Sequence, residues 1–184
     1  MYSSHALAAA AGAVAVVAIV FSLIAALIGI AFYVFSSLMF YKLAQKRGVD
    51  HAWLAWIPYG NLYLLGQIAG PMNLFGKLRI EKTGLVLLLA PLALWAATLV
   101  LGMLALIPFL GIIFGIIAGV LSFVGPLALL VLNLCVLYRI YSPYLPKNTV
   151  LVYTLVSILT VTIPFFIYSI LKKEPISQPY DFTF

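Results

Sequence analysis

Long uncharged apolar runs alternate along this chain with short clusters of charge. Residues 6–41, 52–76, 83–138 and 148–171 contain no Asp, Glu, Lys, Arg or His. A helix needs roughly 20 mostly apolar residues to cross a hydrocarbon core about 30 Å thick. The pattern therefore predicts an all-α, polytopic helical membrane protein with about four transmembrane helices, at about 8–41, 84–107, 111–138 and 149–171. Segment 50–76 is expected to be interfacial or re-entrant. Almost nothing is left over for a soluble core, so residues 1–184 read as a single membrane domain.

The local signals refine each run. As one helix, residues 6–41 would measure roughly 54 Å, longer than a bilayer core. The run has no proline to divide it, and Lys42, Lys46, Arg47 and Gly48 mark its C-terminal end. It follows no basic n-region, so it is expected to be retained as an anchor rather than cleaved. Asp50 is placed to cap a new helix that stops at Pro58. Gly60-Asn61 and Gly70-Pro71 are turn signals. Trp53, Trp56, Tyr59 and Tyr63 suit headgroup depth, where amphipathic rings concentrate. Pro108-Phe109-Leu110-Gly111 divides the long central run into two spans, kinked at Pro91 and Pro126, and Pro164 falls in the outer half of the last span.

Charge sets the expected orientation. The formal net charge is +6, from ten basic and four acidic residues, and the bases sit at the ends of apolar runs. That is the placement of topology determinants facing membrane lipids, not of a nucleic-acid surface, and no nucleic-acid partner is expected. Lys42, Lys46, Arg47, Lys77, Arg79, Lys82, Arg139 and Lys147 are assigned to the cytoplasmic side, which leaves the N-terminus outside in a multi-pass cell-membrane protein. The last run creates a conflict. A crossing sends Lys172 and Lys173 outside, whereas a re-entrant hairpin keeps all ten bases inside. Run length favours the crossing.

Candidate chemistry is sparse. Gly111-x3-Gly115-x3-Gly119 puts glycines on one helix face, where another backbone can approach, and Ser122 and Gly125 extend that face. It serves either an oligomer or partner interface or packing within the chain. Ala25-x3-Gly29 and Gly66-x3-Gly70 are weaker cases. Asn133, a polar group inside a span, is expected to bond across a helix interface. No Asp, Glu, Lys, Arg or His lies within a predicted span, which argues against a proton relay or a carrier of charged substrates. Cys135 is alone and no metal-ligand spacing occurs, so no metal and no cofactor are expected. Asp50-His51 could form an interfacial acid/base pair, but no nucleophile elbow, phosphate loop or paired carboxylates accompany it.

The stretch Gly48-Val49-Asp50-His51-Ala52-Trp53-Leu54-Ala55-Trp56-Ile57-Pro58-Tyr59-Gly60-Asn61-Leu62-Tyr63 resembles a motif in small uncharacterised bacterial multi-spanning membrane proteins. There a G-x-x-x-x-W-x-A-x-I-P-x-x-N stretch follows the first span. Tyr138-Arg139-Ile140-Tyr141 and Pro164-Phe165-Phe166 are similar to later parts of such chains. The resemblance implies an inner-membrane protein of about four spans and brings no activity with it. The expected function is non-enzymatic: helix–helix association as an accessory subunit or small scaffold, as a homo-oligomer or with a membrane protein partner. The alternatives are a small oligomeric channel or carrier for neutral solutes, and an interfacial lipid-modifying enzyme.

Overall fold

The computed structural model describes residues 2–74, 78–108 and 110–179; side chains are described for residue 8 and from residue 11 onward. The chain divides into two units, Met1–Ser36 and Ser37–Phe184, and each is taken by itself.

The first unit is the N-terminal part of α1 (Tyr2–Lys46), a helix of 45 residues, roughly 68 Å at 1.5 Å per residue. The described side chains of residues 11–31 are all exposed, although nearly all are apolar. Such a helix, apolar on every side, is stable only in lipid or against other helices.

The second unit begins with the last turns of α1. Arg47 and Gly48 close the helix, and Gly48 adopts a left-handed conformation at φ 63°. A 3-10 turn follows at Ala52–Trp56, then α2 (Gly60–Ala69). The expected Asp50 cap is not made. The residue opening the turn is His51, left-handed at φ 63°, with no side-chain capping bond.

The chain is mostly helical as expected, with one short antiparallel pair added, β1 (Met72–Leu74) and β2 (Leu78–Ile80). Six residues pair as Met72–Ile80, Asn73–Arg79 and Leu74–Leu78. Gly70 at φ 71° and Pro71 end α2 and leave an extended backbone whose polar groups pair with β2.

Then come α3 (Thr83–Leu104) and α4 (Gly111–Tyr141), which carry Pro91 and Pro126 inside them. With Ala11–Lys46 of α1, these are three helices long and apolar enough to cross a membrane. Two of the turn residues, Pro108 and Leu110, join them as expected, and Phe109 lies outside the described residues.

The last apolar run does not form one span-length helix. It makes α5 (Lys147–Val156), a 3-10 turn at Thr160–Thr162 and α6 (Ile163–Leu171). Leu159 turns extended between the two helices, at φ −77° and ψ 92°. Pro164 sits in the first turn of α6, where its missing N–H costs nothing, so it starts a helix instead of kinking one. Ser157 and Thr162 hydroxyls also bond to Tyr153 and Leu159 carbonyls beside the unwound turn.

The core lies at one end. Leu43, Val136, Leu137, Ile140, Tyr141, Val150, Ile167 and Ile170 are fully buried there. The N-terminal two-thirds of α4, by contrast, leave Ile112, Ile116, Val120, Phe123 and Leu127 exposed.

Candidate functional site: a basic, tyrosine-lined helix junction and its cleft

Helices end with carbonyls that have no partner in the helix and carry partial negative charge. In this chain cations from other elements meet several of those ends. Arg47 Nη2 donates to the Ile140 carbonyl at 3.0 Å, near the end of α4, and Arg47 Nε donates to Tyr144 Oη at 3.0 Å. Lys46 Nζ donates to the carbonyls of Ile170 at 3.5 Å, Leu171 at 3.0 Å and Lys173, at the end of α6. An ammonium has three N–H donors, and three carbonyls surround this one. Arg139 Nε donates to the Ala69 carbonyl at 2.8 Å, at the end of α2. The C-terminal ends of α1, α2, α4 and α6 thus meet in one junction.

Tyrosines fill the junction. The buried Tyr144 ring has Lys46 Nζ 4.9 Å and Arg47 Cζ 5.1 Å from its centroid. The Tyr141 and Ser157 oxygens lie 3.2 Å apart. Ser157 Oγ already donates to the Tyr153 carbonyl at 2.7 Å, so Tyr141 supplies the proton between the two hydroxyls. The Tyr153 and Phe166 rings stack at 4.3 Å, tying α5 to α6. Ile176 N–H donates to the Pro143 carbonyl at 2.6 Å, so the chain after α6 returns beside the end of α4.

The residues singled out for topology therefore separate into two kinds. Lys46, Arg47 and Arg139 are structural caps. Arg79 makes an exposed ion pair with Glu81 at 3.7 Å. Lys42 and Lys82 are exposed, Lys147 opens α5, and Lys77 lies outside the described residues.

The anchor residues also separate. Trp53, Trp56 and Tyr59 are exposed, at 55%, 40% and 62%. Tyr63 is half-buried and lines a cleft of about 410 Å³ with Gly48, Val49, Asp50, His51 and Gln67. The chain is strained around this motif. Tyr59 is left-handed at φ 65°, an unfavourable region for a bulky side chain. Gly60 follows it where a Cβ would lie 2.8 Å from the Leu54 carbonyl oxygen.

The glycine face of α4 is packed at both ends and open between them: a Cβ on Gly125 would collide with a Leu94 methyl of α3. A Cβ on Gly119 would meet nothing within 4 Å, and one on Gly115 would meet only the Ala105 methyl at 4.0 Å. Gly111 packs on the turn before it, against the Ala105 carbonyl. Ser122 Oγ donates to the Ala118 carbonyl of its own helix at 2.7 Å. The Asn133 amide donates to the Leu129 carbonyl of its own helix, four residues back, at 3.0 Å. The i−4 carbonyl is the nearest acceptor that a helical side chain can reach.

A close helix crossing sets Gly66, one of the weaker small-residue cases in the sequence, against Gly84, which the glycine pattern did not single out. A Cβ on Gly66 would lie 2.5 Å from the Gly84 Cα, and one on Gly84 would lie 2.7 Å from the Tyr63 carbonyl oxygen. Gly84 directly follows Thr83, whose hydroxyl donates to the Gly70 carbonyl at 2.7 Å. A glycine at the start of a span facing a glycine in the preceding short helix was the available signal.

Among the described residues, no group of three or more His, Cys, Asp or Glu side chains is placed to hold a metal ion. No family model, no curated protein and no solved structure matches this chain.

Proposed function

We propose that this protein is a non-enzymatic integral membrane protein that works by helix–helix association, as a small scaffold or accessory subunit. One observation carries the reading: large apolar helix surfaces find no cover within the chain, and they include the open Gly119 on its small-residue face. Lipid can cover an apolar surface, but a glycine face adds close backbone approach and directs a second helix there. The partner is a second copy or another membrane helix. Gentle solubilisation followed by native mass measurement is expected to give a homo-oligomer or a complex with a co-purifying membrane protein. A clean monomer alone overturns the reading.

The topology we infer has three spans, with α5–α6 as a re-entrant helical hairpin, in place of four crossings. It is supported by Lys46 bonding the end of α6 while its neighbour Arg47 bonds the end of α4. All ten basic residues then share the cytoplasmic side and the N-terminus is outside. Single cysteines at Lys82 and Glu174 in a Cys135→Ser background should react from the same side. Labelling of those two positions from opposite sides restores the fourth crossing.

The broken hairpin also favours a second reading, a channel or carrier for neutral solutes. Unwound backbone at membrane depth is tolerated where protein buries it or where it lines a water-filled cavity. Solute flux into reconstituted vesicles distinguishes the two; vesicles without flux leave only the scaffold.

A further inference from the structure

We propose that the cleft between the end of α1 and α2 binds the ethanolamine headgroup of a zwitterionic phospholipid, with Asp50 receiving its ammonium. The proposal rests on the membrane reading above, which places this junction at headgroup depth.

The cleft measures about 410 Å³, within the range of roughly 300–1,000 Å³ typical of small-ligand sites. Trp53, Trp56 and Tyr59 stand exposed in the segment that links its two lining stretches, the placement of rings at a lipid interface. Its lining combines a carboxylate with the polar side chains of His51, Tyr63 and Gln67. Asp50 is exposed, and among the described residues no ion pair or side-chain hydrogen bond occupies its carboxylate. The cations nearest in sequence are engaged elsewhere: Lys46 holds the end of α6 and Arg47 holds the end of α4.

The chemistry of the lining selects among headgroups. A primary ammonium carries three N–H donors. Asp50, the Gln67 amide oxygen and the Tyr63 hydroxyl supply acceptors of the required kind. A choline headgroup has no N–H and is held by cages of several aromatic rings; one tyrosine lines this cleft. An anionic headgroup without an amine meets the Asp50 carboxylate as a like charge. The backbone favours a built site as well, because His51 enters the lining from a left-handed conformation, which costs energy at a non-glycine residue.

The test uses the full-length protein in nanodiscs that contain phosphatidylglycerol with either phosphatidylethanolamine or phosphatidylcholine, read by native mass spectrometry of retained lipid. Phosphatidylethanolamine is expected to be retained roughly tenfold or more over phosphatidylcholine, as a charge-assisted hydrogen bond allows. Asp50→Asn, which is isosteric and exposed, should abolish the preference, and Gln67→Ala should reduce it. Equal retention of the two lipids, or a preference unchanged in Asp50→Asn, overturns the proposal. Free phosphoethanolamine that saturates the cleft as well as the lipid does would reassign the site to a soluble amine and also overturn it. Incorporation into nanodiscs of both compositions reports on the membrane reading separately, so the two failures are distinguishable.

Discussion

The two ends of α4 show how differently one apolar helix can be used. From Cys135 to Tyr141 nearly every side chain is buried, and cations from other elements reach the helix end. From Ile112 to Leu127 most large side chains stand open, and the glycine face is packed at Gly111 and Gly125 but open at Gly115 and Gly119. Both halves are equally free of charge until Arg139. Hydropathy therefore does not distinguish them. What does is the supply of directional partners: Arg47, Arg139, Tyr144 and Ser157 cluster at one end only. In lipid, apolar contact between helices carries little driving force, so hydrogen bonds and close packing decide where a chain folds on itself. The outer half packs one face on α3, at Gly125 and Leu94, and its other faces stay open.

That contrast is most exposed to substitution at the packed end. Gly66→Val would push side-chain atoms into the Gly84 backbone, where no flexible side chain can give way. Overpacking of this kind costs about 1–3 kcal/mol or more. Thermal unfolding in detergent should show a large drop in midpoint for Gly66→Val. A midpoint unchanged from wild type would mean that α2 and α3 do not meet at this crossing.

The next effect concerns the helix caps. Arg47→Ala removes one donor to Tyr144 and one to the Ile140 carbonyl, and leaves the end of α4 without its cation. Hydrogen bonds to charged groups are worth about 1.5–3 kcal/mol each where partly buried. Arg79→Ala removes only an exposed pair with Glu81, worth little in water. Equilibrium unfolding should therefore rank Arg47→Ala well below Arg79→Ala in stability. Equal stabilities would show that the junction is held by its apolar core and not by its cations.

This ranking also marks what can be read from the sequence. Run length locates α1, α3 and α4 to within a few residues at most ends, because each uncharged run is long enough to form a helix that could cross a bilayer. The same argument predicts one continuous helix over 149–171, and the backbone breaks there instead. Length constrains how many apolar residues are present, not whether their backbone is continuous. A proline inside an apolar run predicts a kink, yet Pro164 opens α6. The hairpin at 72–80 is invisible for a related reason: three-residue strands are too short for an alternation pattern to register. The bases mark topology in the sequence, and nothing in their spacing along the chain reveals that Lys46, Arg47 and Arg139 bond carbonyls about 70 to 127 residues away. The cleft is half legible. Asp50, His51 and Tyr63 each stand out individually, but only the fold brings Gln67 beside them.

The smallest effect on stability is expected at the open end, and it discriminates most sharply between the uses of the two halves. Gly119→Leu adds a large side chain where nothing lies within 4 Å, so it strains no contact of the monomer. Leucine is also the better helix former, by somewhat under about 1 kcal/mol. The monomer's unfolding midpoint should hold or rise slightly. Association is where the change should appear, because leucine holds apart two backbones that glycine lets touch. Native mass measurement is expected to shift from oligomer or complex toward monomer for Gly119→Leu, with the midpoint of the separated monomer retained. An oligomer that survives this substitution moves the interface off α4, and the fully exposed stretch of α1, residues 11–31, becomes the surface to test. A monomer that is itself destabilised would contradict the contrast at its source, since it would mean that the Gly119 position of α4 is packed within the chain after all.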